Sequence, residues 1–318
     1  MIYHIVSVMM WLVLIIFGFI IENHGRQVQR NANYKEFPFM IAIVDSRVGL
    51  SECGGALVSD LNFVTAGHCV TKYNRANKAF RIKDCKLYFV VAGSRFLWPK
   101  EYGYKKREVQ SWRPHSSFDT VLGGMNTHDI AVGMLASPMN QNDYVHPIRL
   151  FSHRSRQISK ELKDLKNSGD TCFTLGWGRP SITWNADLSL YEYANDSHSI
   201  RVTQVKLLRD FFCSKRLCKI DKTFCNFKLS SYGSICGTSD LTNSSIYPTD
   251  AGGPLVCRGM IFGVVGWVRS WDLNNTPIIY SNVKLILEMD VNFYSFQLKL
   301  RANKILLLFS LQALTIMQ

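Results

Sequence analysis

The sequence has few charged residues and few prolines for its length. Of its 318 residues, 19% are charged and 9 are proline, whereas 47% are hydrophobic. A disordered chain has the opposite balance, and a collagen-like chain needs a strict glycine repeat, so both classes are excluded. The sequence also lacks internal repeats and low-complexity blocks. The composition therefore indicates a globular protein that forms one large domain or two smaller units.

Acidic residues are also scarce. The 24 Asp and Glu face 37 Lys and Arg, which leaves a formal net charge of +13. The excess is concentrated in residues 72–113, where basic and aromatic residues alternate, and its candidate polyanion-binding residues are Lys105, Lys106, Arg107 and Arg113. Two interpretations stay open. The region is either a solvated face that confers solubility, or a binding site for an acidic glycan, an acidic protein or an anionic membrane.

The N-terminus has the layout of a secretory signal peptide. Residues 5–21 form a nearly continuous apolar run, although no Lys or Arg precedes it. An uncleaved anchor is the alternative, but the first basic residues, Arg26 and Arg30, follow the run and argue against an anchor that passes the rest of the chain outward. We therefore predict a signal peptide at residues 1–25 and a secreted, extracellular protein with no stable membrane span after signal removal.

Residues 293–318 are predicted to form an apolar C-terminal tail. Its most apolar part, residues 305–317, is too short to span a bilayer, and the polar spacer of a lipid-anchor signal is poor. We expect the tail to pack on the body of the protein. Glycosylation sequons compatible with secretion begin at Asn195, Asn243 and Asn274.

The intervening region, residues 26–292, has the pattern of an all-β protein. Helical patterns are limited to residues 157–165 and a terminal candidate at residues 282–291. Many scattered strands favour a sandwich or barrels over alternating βαβ units. The predicted strands are apolar runs rich in Val, Ile and Phe, at residues 37–44, 87–92, 129–135, 172–176, 201–208, 260–268 and 278–283.

Four short motifs occur in a fixed order along this region. They are GGALV with FVTAGHC at residues 54–69, DIAV at 129–132, GWG at 176–178, and DAGGPLVC at 250–257. Their order and spacing resemble the chymotrypsin/trypsin-like serine protease family across about residues 26–292. The resemblance implies two packed six-stranded antiparallel β-barrels with a short C-terminal helix, and neither a cofactor nor a metal.

A protease of this family needs a Ser nucleophile, a His that takes its proton and a buried Asp that orients the His. The resemblance assigns the general base to His68 and the orienting carboxylate to Asp129. The nucleophile position holds Ala251, which has no lone pair to attack a carbonyl. In subtilisin, the loss of the serine alone costs on the order of 10⁶ in turnover. We therefore predict a catalytically deficient member of the family, with His68 and Asp129 as remnants of the triad.

Other residues of the motif regions also depart from the family pattern, and these departures likewise indicate a loss of protease activity. Thr249 stands where the family has a glycine. In the family, the backbone amides of that glycine and of the residue at position 251 together form the oxyanion hole. Threonine resists the backbone conformations that glycine permits. Zymogen activation is also predicted to be impaired. Family members are cleaved after a basic residue to expose an N-terminal Ile, whereas cleavage after Arg26 would expose Gln27. The pocket positions are Ser245, Gly266, Trp267 and Val268, of which the last is expected to crowd the pocket mouth.

Nine cysteines favour disulfides in a secreted chain. The resemblance implies the pairs Cys53–Cys69 and Cys172–Cys257, and it also matches Cys236. The partner of Cys236 stays open, because the five remaining cysteines allow fifteen arrangements of two bonds and one free thiol. A zinc site formed by Cys213, Cys218 and Cys225 is the alternative, but their spacing matches no common zinc pattern and secretion favours disulfides. The candidates for the pairing of Cys236 are Cys213, Cys218 and Cys225.

The sequence thus predicts a secreted, non-catalytic serine protease homologue that acts as a binding or regulatory protein. Its expected partner is a protein or an acidic glycan, and nucleic acid is not expected for a secreted chain. Two alternatives remain. One is an active endopeptidase with an unrecognised nucleophile, and the other is a drifting gene product with a structural role or none.

Overall fold

A computed structural model of the protein describes residues 29–33, 35–76, 78–95, 102–120, 124–177, 182–185, 190–193, 199–239, 250–267 and 276–289. The predicted signal peptide, the C-terminal tail and the three sequons lie outside these residues. Within the described part of the chain, no helix is long and apolar enough to cross a membrane.

The first barrel is closed by six antiparallel strands. Going round the barrel, the order is β11, β4, β3, β2, β7 and β8. Hairpin pairs join neighbours in sequence, and β11 closes the barrel by pairing with both β4 and β8. The strands are β2 (Met40–Asp45), β3 (Leu50–Leu57), β4 (Asn62–Thr65), β7 (Tyr88–Ala92), β8 (Lys105–Pro114) and β11 (Ala131–Leu135).

The second barrel also has six antiparallel strands, in the order β15, β12, β17, β18, β19 and β16. It closes where β16 pairs back to β15 at Leu207 and Gly237. A further strand, β1 (Gln29–Asn31), pairs with the other half of the same β15 edge. The strands are β12 (Thr171–Gly176), β15 (Arg201–Leu207), β16 (Ser234–Thr238), β17 (Pro254–Cys257), β18 (Met260–Trp267) and β19 (Ile278–Asn282).

Short two-stranded elements and three helices complete the described fold. The two-stranded elements are β5 (Thr71–Asn74) with β6 (Ala79–Ile82), β9 (Asp119–Thr120) with β10 (Asn126–Thr127), and β13 (Ile182–Asn185) with β14 (Leu190–Tyr193). The helices are α1 (Ser155–Ser168), α2 (Asp210–Ile220) and the single-turn α3 (Ile286–Met289), which follows a 3₁₀ turn at Val283–Leu285.

Alternation along the strands separates the barrel interiors from the interface between the barrels. On β2, Ile41 and Ile43 point into the first barrel, whereas Met40 and Ala42 belong to an apolar cluster that also contains Val202 of the second barrel. A β-strand places successive side chains on opposite faces, so one strand serves both cores. The chain therefore forms two barrels packed face to face.

The prediction of two six-stranded antiparallel barrels with a short C-terminal helix is confirmed, as are the strands predicted from apolar runs. Helix α1 is longer than the predicted residues 157–165. It ends at Gly169, whose φ of 70° and N–H bond to the Leu165 carbonyl (3.2 Å) form a left-handed cap. Its buried residues, Ile158, Leu162 and Leu165, recur at helical spacing. Helix α2 is not among the predicted elements.

Four disulfides bond eight of the nine cysteines. The two pairs implied by the resemblance are present, and Cys236 is bonded to Cys213. The fourth bond joins Cys218, on α2, to Cys225 beyond its end. Cys85 is the free thiol, and its Sγ lies 3.3 Å from the Gln110 carbonyl. The structure thus selects one of the fifteen open arrangements.

Candidate active site

His68 lies on a 3₁₀ turn, Gly67–Cys69, that directly follows β4. The Cys53–Cys69 disulfide ties this turn to β3. The Thr71 hydroxyl donates to the Gly67 carbonyl (3.0 Å) and closes the other side of the turn. The turn is therefore held at both ends, and the imidazole that it carries has a defined position between the barrels.

Asp129 precedes β11 and reaches His68 with both carboxylate oxygens. Its Oδ2 lies 2.7 Å from Nδ1 of the imidazole, and its Oδ1 accepts the backbone N–H of His68 at 2.8 Å. The side-chain amide of Asn126 donates to Oδ2 at 3.2 Å. Only 1% of the Asp129 side chain is exposed. This arrangement orients the imidazole and places its Nδ1 proton toward the carboxylate, as a general base requires.

The pKa of His68 reflects two opposed effects. Burial lowers the pKa of the imidazole, because it disfavours the charged form. The negative charge of Asp129 and its hydrogen bond raise the pKa, and they outweigh burial and a smaller opposing effect of Lys83. The net pKa is therefore above the ordinary value of 6.5. The Asp129 carboxylate therefore favours the protonated form of the His68 imidazole.

Ala251 lies on the loop between the barrels, against the segment that carries His68. It is 6% exposed and shares an apolar cluster of the first barrel with Ala66 and Cys69. Its carbonyl accepts the N–H of Gly54 (2.8 Å), and the next residue, Gly252, donates its N–H to Val265 O (2.7 Å). The loop is thus bonded to both barrels, and the position predicted for the nucleophile carries only a methyl group.

The other nitrogen of His68, Nε2, is the atom that would take a proton from a nucleophile. Its described polar neighbour is Cys69 Sγ at 3.9 Å, a sulfur that is already bonded to Cys53. No hydroxyl or thiol contacts Nε2 among the residues that the structure describes. The same three residues are the one group of potential metal ligands found there, and the disulfide removes two of them.

The structure describes part of the predicted pocket. A Cβ added to Gly266 would lie 3.2 Å from Asp129 Oδ2, so this strand position adjoins the carboxylate but offers it no side chain. Trp267 packs edge-on against Phe224, with ring centroids 5.5 Å apart. The remaining predictions for the pocket and oxyanion hole, Ser245, Thr249 and Val268, lie outside the described residues.

Asp250, next to the nucleophile position, is buried against Gly176. A Cβ added to Gly176 would lie 2.0 Å from Asp250 Oδ1. Glycine is therefore required at residue 176, which explains one of the motifs in the sequence. Gln27, which would be the new terminus after cleavage at Arg26, lies outside the described residues.

The four predicted polyanion-binding residues all lie on β8, but two of them bond to backbone. Lys105 Nζ donates to the Asn140 carbonyl, and Arg107 Nε donates to Pro138 O at 2.9 Å. Burial, together with the neighbouring Arg107 charge, lowers the pKa of Lys105. Lys106 Nζ lies 3.8 Å from the centre of the Phe89 ring, and Arg113 is exposed. Much of this cluster therefore holds β8 against the segment that follows β11.

Asn126 is the site residue that the sequence analysis missed. Its spacing of three residues from Asp129 carries no motif, and the two side chains meet across a local turn in which His128 has a φ of 49°. The Asn126 amide holds the carboxylate oxygen that faces the imidazole. Asn126 is thus a positioning residue for Asp129.

The His68–Asp129 geometry matches the paired general base and carboxylate of a serine protease, and comparisons with known proteins agree with the fold. A family model described as Trypsin matches residues 27–289. The protein therefore belongs to the trypsin family. The prediction of a trypsin-like serine protease homologue is confirmed at this level.

Individual relatives are distant. Mouse granzyme F is 28% identical over 233 residues, which are 73% of this chain and 75% of that protein. Trypsin delta of Drosophila erecta is 26% identical over 273 residues, 84% of this chain and 87% of that protein. Mouse tryptase is 25% identical over 81% of this chain and 85% of its own length.

Two solved structures share the fold. Neuropsin, a serine protease expressed in the limbic system of mouse brain, superposes with a TM-score of 0.60 at 20% identity, covering 85% of this chain and 98% of that one. Human heparin binding protein gives a TM-score of 0.56 at 20% identity, covering 82% and 92% of the two chains.

Proposed function

We propose that the protein is a secreted, non-catalytic member of the trypsin family that acts by binding rather than by proteolysis. The observation that carries the proposal is Ala251, a methyl group where the family has its nucleophile, beside an ordered His68–Asp129 pair. A general base accelerates acyl transfer only when it has a nucleophile to deprotonate. The His68–Asp129 pair is therefore a remnant of the triad, and without a nucleophile at residue 251 the protein forms no acyl-enzyme.

A binding role fits the features that the chain keeps. Eight cysteines remain bonded, and both barrels are closed. The net charge of +13 favours an acidic partner, either a protein or an acidic glycan. One structural neighbour is itself named a heparin binding protein, which suggests heparin as a first probe.

The test is peptide hydrolysis by the secreted, purified protein over a broad fluorogenic library. The Ala251→Ser variant is assayed beside it, and Ala251→Ser with His68→Ala serves as the matched control. We expect no cleavage by the natural protein. If Ala251→Ser gains cleavage that the His68→Ala control lacks, the pocket still accepts peptides. If Ala251→Ser stays silent, the site has decayed beyond its nucleophile, and the search for partners moves to the basic surface.

The second candidate function is an active endopeptidase with an unrecognised nucleophile. The raised pKa of His68 beside a buried carboxylate favours it, because a working general base has the same environment. Labelling of the natural protein by a serine-directed phosphonate, lost in His68→Ala, would support this candidate. Cleavage by the natural protein that survives a second affinity purification would overturn the non-catalytic proposal.

A further inference from the structure

A basic groove lies on the first barrel, and its lining includes none of the four β8 residues predicted to bind a polyanion. Its volume is about 660 Å³, and it runs between the β5–β6 hairpin and the start of β3. Five basic residues and two acidic residues line it, so the lining has a net charge of +3. The basic residues are Arg47, Lys72, Arg75, Arg81 and Lys83, and the acidic residues are Glu52 and Asp84.

Two of these basic residues have partners within the protein. Arg47 is bonded to Asp45, with Nε at 2.9 Å from Oδ1, and Lys83 Nζ lies 2.6 Å from Glu52 Oε2. The other three, Lys72, Arg75 and Arg81, are exposed and make no ion pair with any residue that the structure describes. The unneutralised charge of the groove therefore lies on the β5–β6 hairpin.

The hairpin holds two of these charges side by side. Lys72 and Arg81 are directly opposite each other in the β5–β6 register. Like charges at such a position repel each other and weaken the pair of strands. A bound anion would remove this repulsion, so the arrangement costs stability in the free protein and favours binding of an anion.

The opposite face of the hairpin fixes its position. Tyr73 and Phe80 form the next cross-strand pair, with ring centroids 5.2 Å apart, and Phe80 packs on Phe118 at 4.8 Å. Phe118 in turn lies against the turn that carries His68, since a Cβ added to Gly67 would be 2.8 Å from its ring. Because side chains alternate along a strand, this aromatic packing leaves Lys72 and Arg81 on the other face.

We propose that this groove binds a linear sulfated polysaccharide, with Lys72, Arg75 and Arg81 as its main contacts; the inference rests on the proposed binding function. The three charges line one short hairpin, where successive residues rise by about 3.3 Å. Guanidinium and ammonium groups bind anionic oxygens of this kind. A repeating polyanion can neutralise such a row without a fixed register. The groove also exposes Tyr73 and Ile82, so an acidic peptide is the competing ligand that the test separates from the polysaccharide.

The test measures binding of the secreted protein to immobilised heparin at several NaCl concentrations. One variant combines Lys72→Gln, Arg75→Gln and Arg81→Gln. The matched control removes three exposed charges from α1, through Arg156→Gln, Lys160→Gln and Lys163→Gln. Both variants have the same net charge, and circular dichroism checks that both are folded. Soluble poly-glutamate of matched charge competes in a parallel experiment.

We expect the groove variant to bind heparin at least about tenfold more weakly, and the α1 control to stay within about twofold of the natural protein. The slope of log Kd against log salt should become shallower by about two, since fewer counterions are released.

Equal losses of heparin affinity in both variants, or no loss in the groove variant, would overturn the assignment of the site while heparin binding itself stands. Competition by poly-glutamate as strong as by heparin would point to a protein partner instead. If the natural protein does not bind heparin at physiological salt, the polyanion part of the proposed function fails as well.

Discussion

Gly252 approaches Thr65 so closely that no side chain fits between them. A Cβ added to Gly252 would lie 2.2 Å from Thr65 Oγ1 and 2.4 Å from the Gly54 carbonyl. The Thr65 hydroxyl already donates to that carbonyl at 2.8 Å. The loop after Ala251 is thus seated directly on β3 and β4 of the other barrel. The contact positions the loop that carries Ala251 relative to the turn that carries His68.

Replacing Gly252 by Ala should therefore weaken the junction of the barrels. The φ of Gly252 is +79°, which disfavours any Cβ, and the added methyl would also overlap Thr65 and Gly54. We expect a loss of about 3 kcal/mol in the free energy of unfolding, measured by urea denaturation. Gly259→Ala is the control, because its φ is +74° but nothing lies within 4 Å of the added Cβ. It should lose about 1 kcal/mol, and equal losses would contradict the steric argument.

The Asp129→Asn variant should lower the pKa of His68 to below 6.5. Burial then acts on the imidazole without the opposing negative charge. The measurement is an NMR titration of the imidazole C–H signals, with His68→Gln to assign the resonance. An unchanged His68 titration would show that the pair seen in the structure does not set the protonation of the site.

The same pair makes a pH-dependent contribution to stability. Because the folded pKa of His68 is raised, the folded state binds the proton more tightly than the unfolded state. This stabilisation is fully present below about pH 6.5 and is lost as the pH rises through the folded pKa. The difference in unfolding free energy between the natural protein and Asp129→Asn should therefore be larger at low than at high pH. A difference in unfolding free energy that does not change with pH would contradict this contribution of the His68–Asp129 pair to stability.

The sequence assigned roles to His68 and Asp129 through the resemblance of their flanking motifs to the trypsin family. The structure brings the two residues together, with Asp129 Oδ2 2.7 Å from His68 Nδ1. The strands were predictable because each is a short apolar run bounded by turn residues. Neither inference needs knowledge of distant contacts.

Other features depend on contacts that sequence does not contain. The basic cluster on β8 stays a predicted polyanion site, but its sequence does not reveal that Lys105 bonds to the Asn140 carbonyl, 35 residues away. The exposed charges of the groove, Lys72, Arg75 and Arg81, are spread along the sequence, and the pairing of β5 with β6 brings them together. Helix α2 has a weak apolar pattern and is held by two disulfides, Cys213–Cys236 and Cys218–Cys225, whose pairing required the fold.

His115 should make the protein less stable in acid. It is 6% exposed and stacks on His128 at 5.1 Å, while Glu288 Oε2 lies 3.6 Å from its Nε2. Burial first, and then the neighbouring His128, lower the pKa of His115 despite the opposing effect of Glu288. The unfolded state therefore binds this proton more readily, and stability falls as the pH drops below about 6.5.

The variant His115→Asn tests this effect. Its side-chain oxygen can still accept the Ser117 N–H, which His115 Nδ1 accepts at 3.1 Å. We expect a smaller loss of stability between pH 7 and pH 5 than in the natural protein, measured by urea denaturation. The exposed His146 provides the control, since His146→Asn should leave the pH dependence unchanged. Parallel curves for all three proteins would mean that His115 does not sense pH.

The disulfides should differ in what they contribute to stability. Cys172 and Cys257 are 85 residues apart, whereas Cys218 and Cys225 are separated by 7. A crosslink restricts the unfolded chain more when it closes a longer loop, so replacing both cysteines by Ala should cost about 4 to 5 kcal/mol for the first pair and about 2 kcal/mol for the second. Cys172 and Cys257 are also fully buried, so the cavity left by their two sulfurs adds to the loss of stability when this pair is replaced. Urea denaturation of the two double variants gives the comparison. Equal losses would mean that loop length does not govern stability here and that the unfolded chain already keeps β12 near β17.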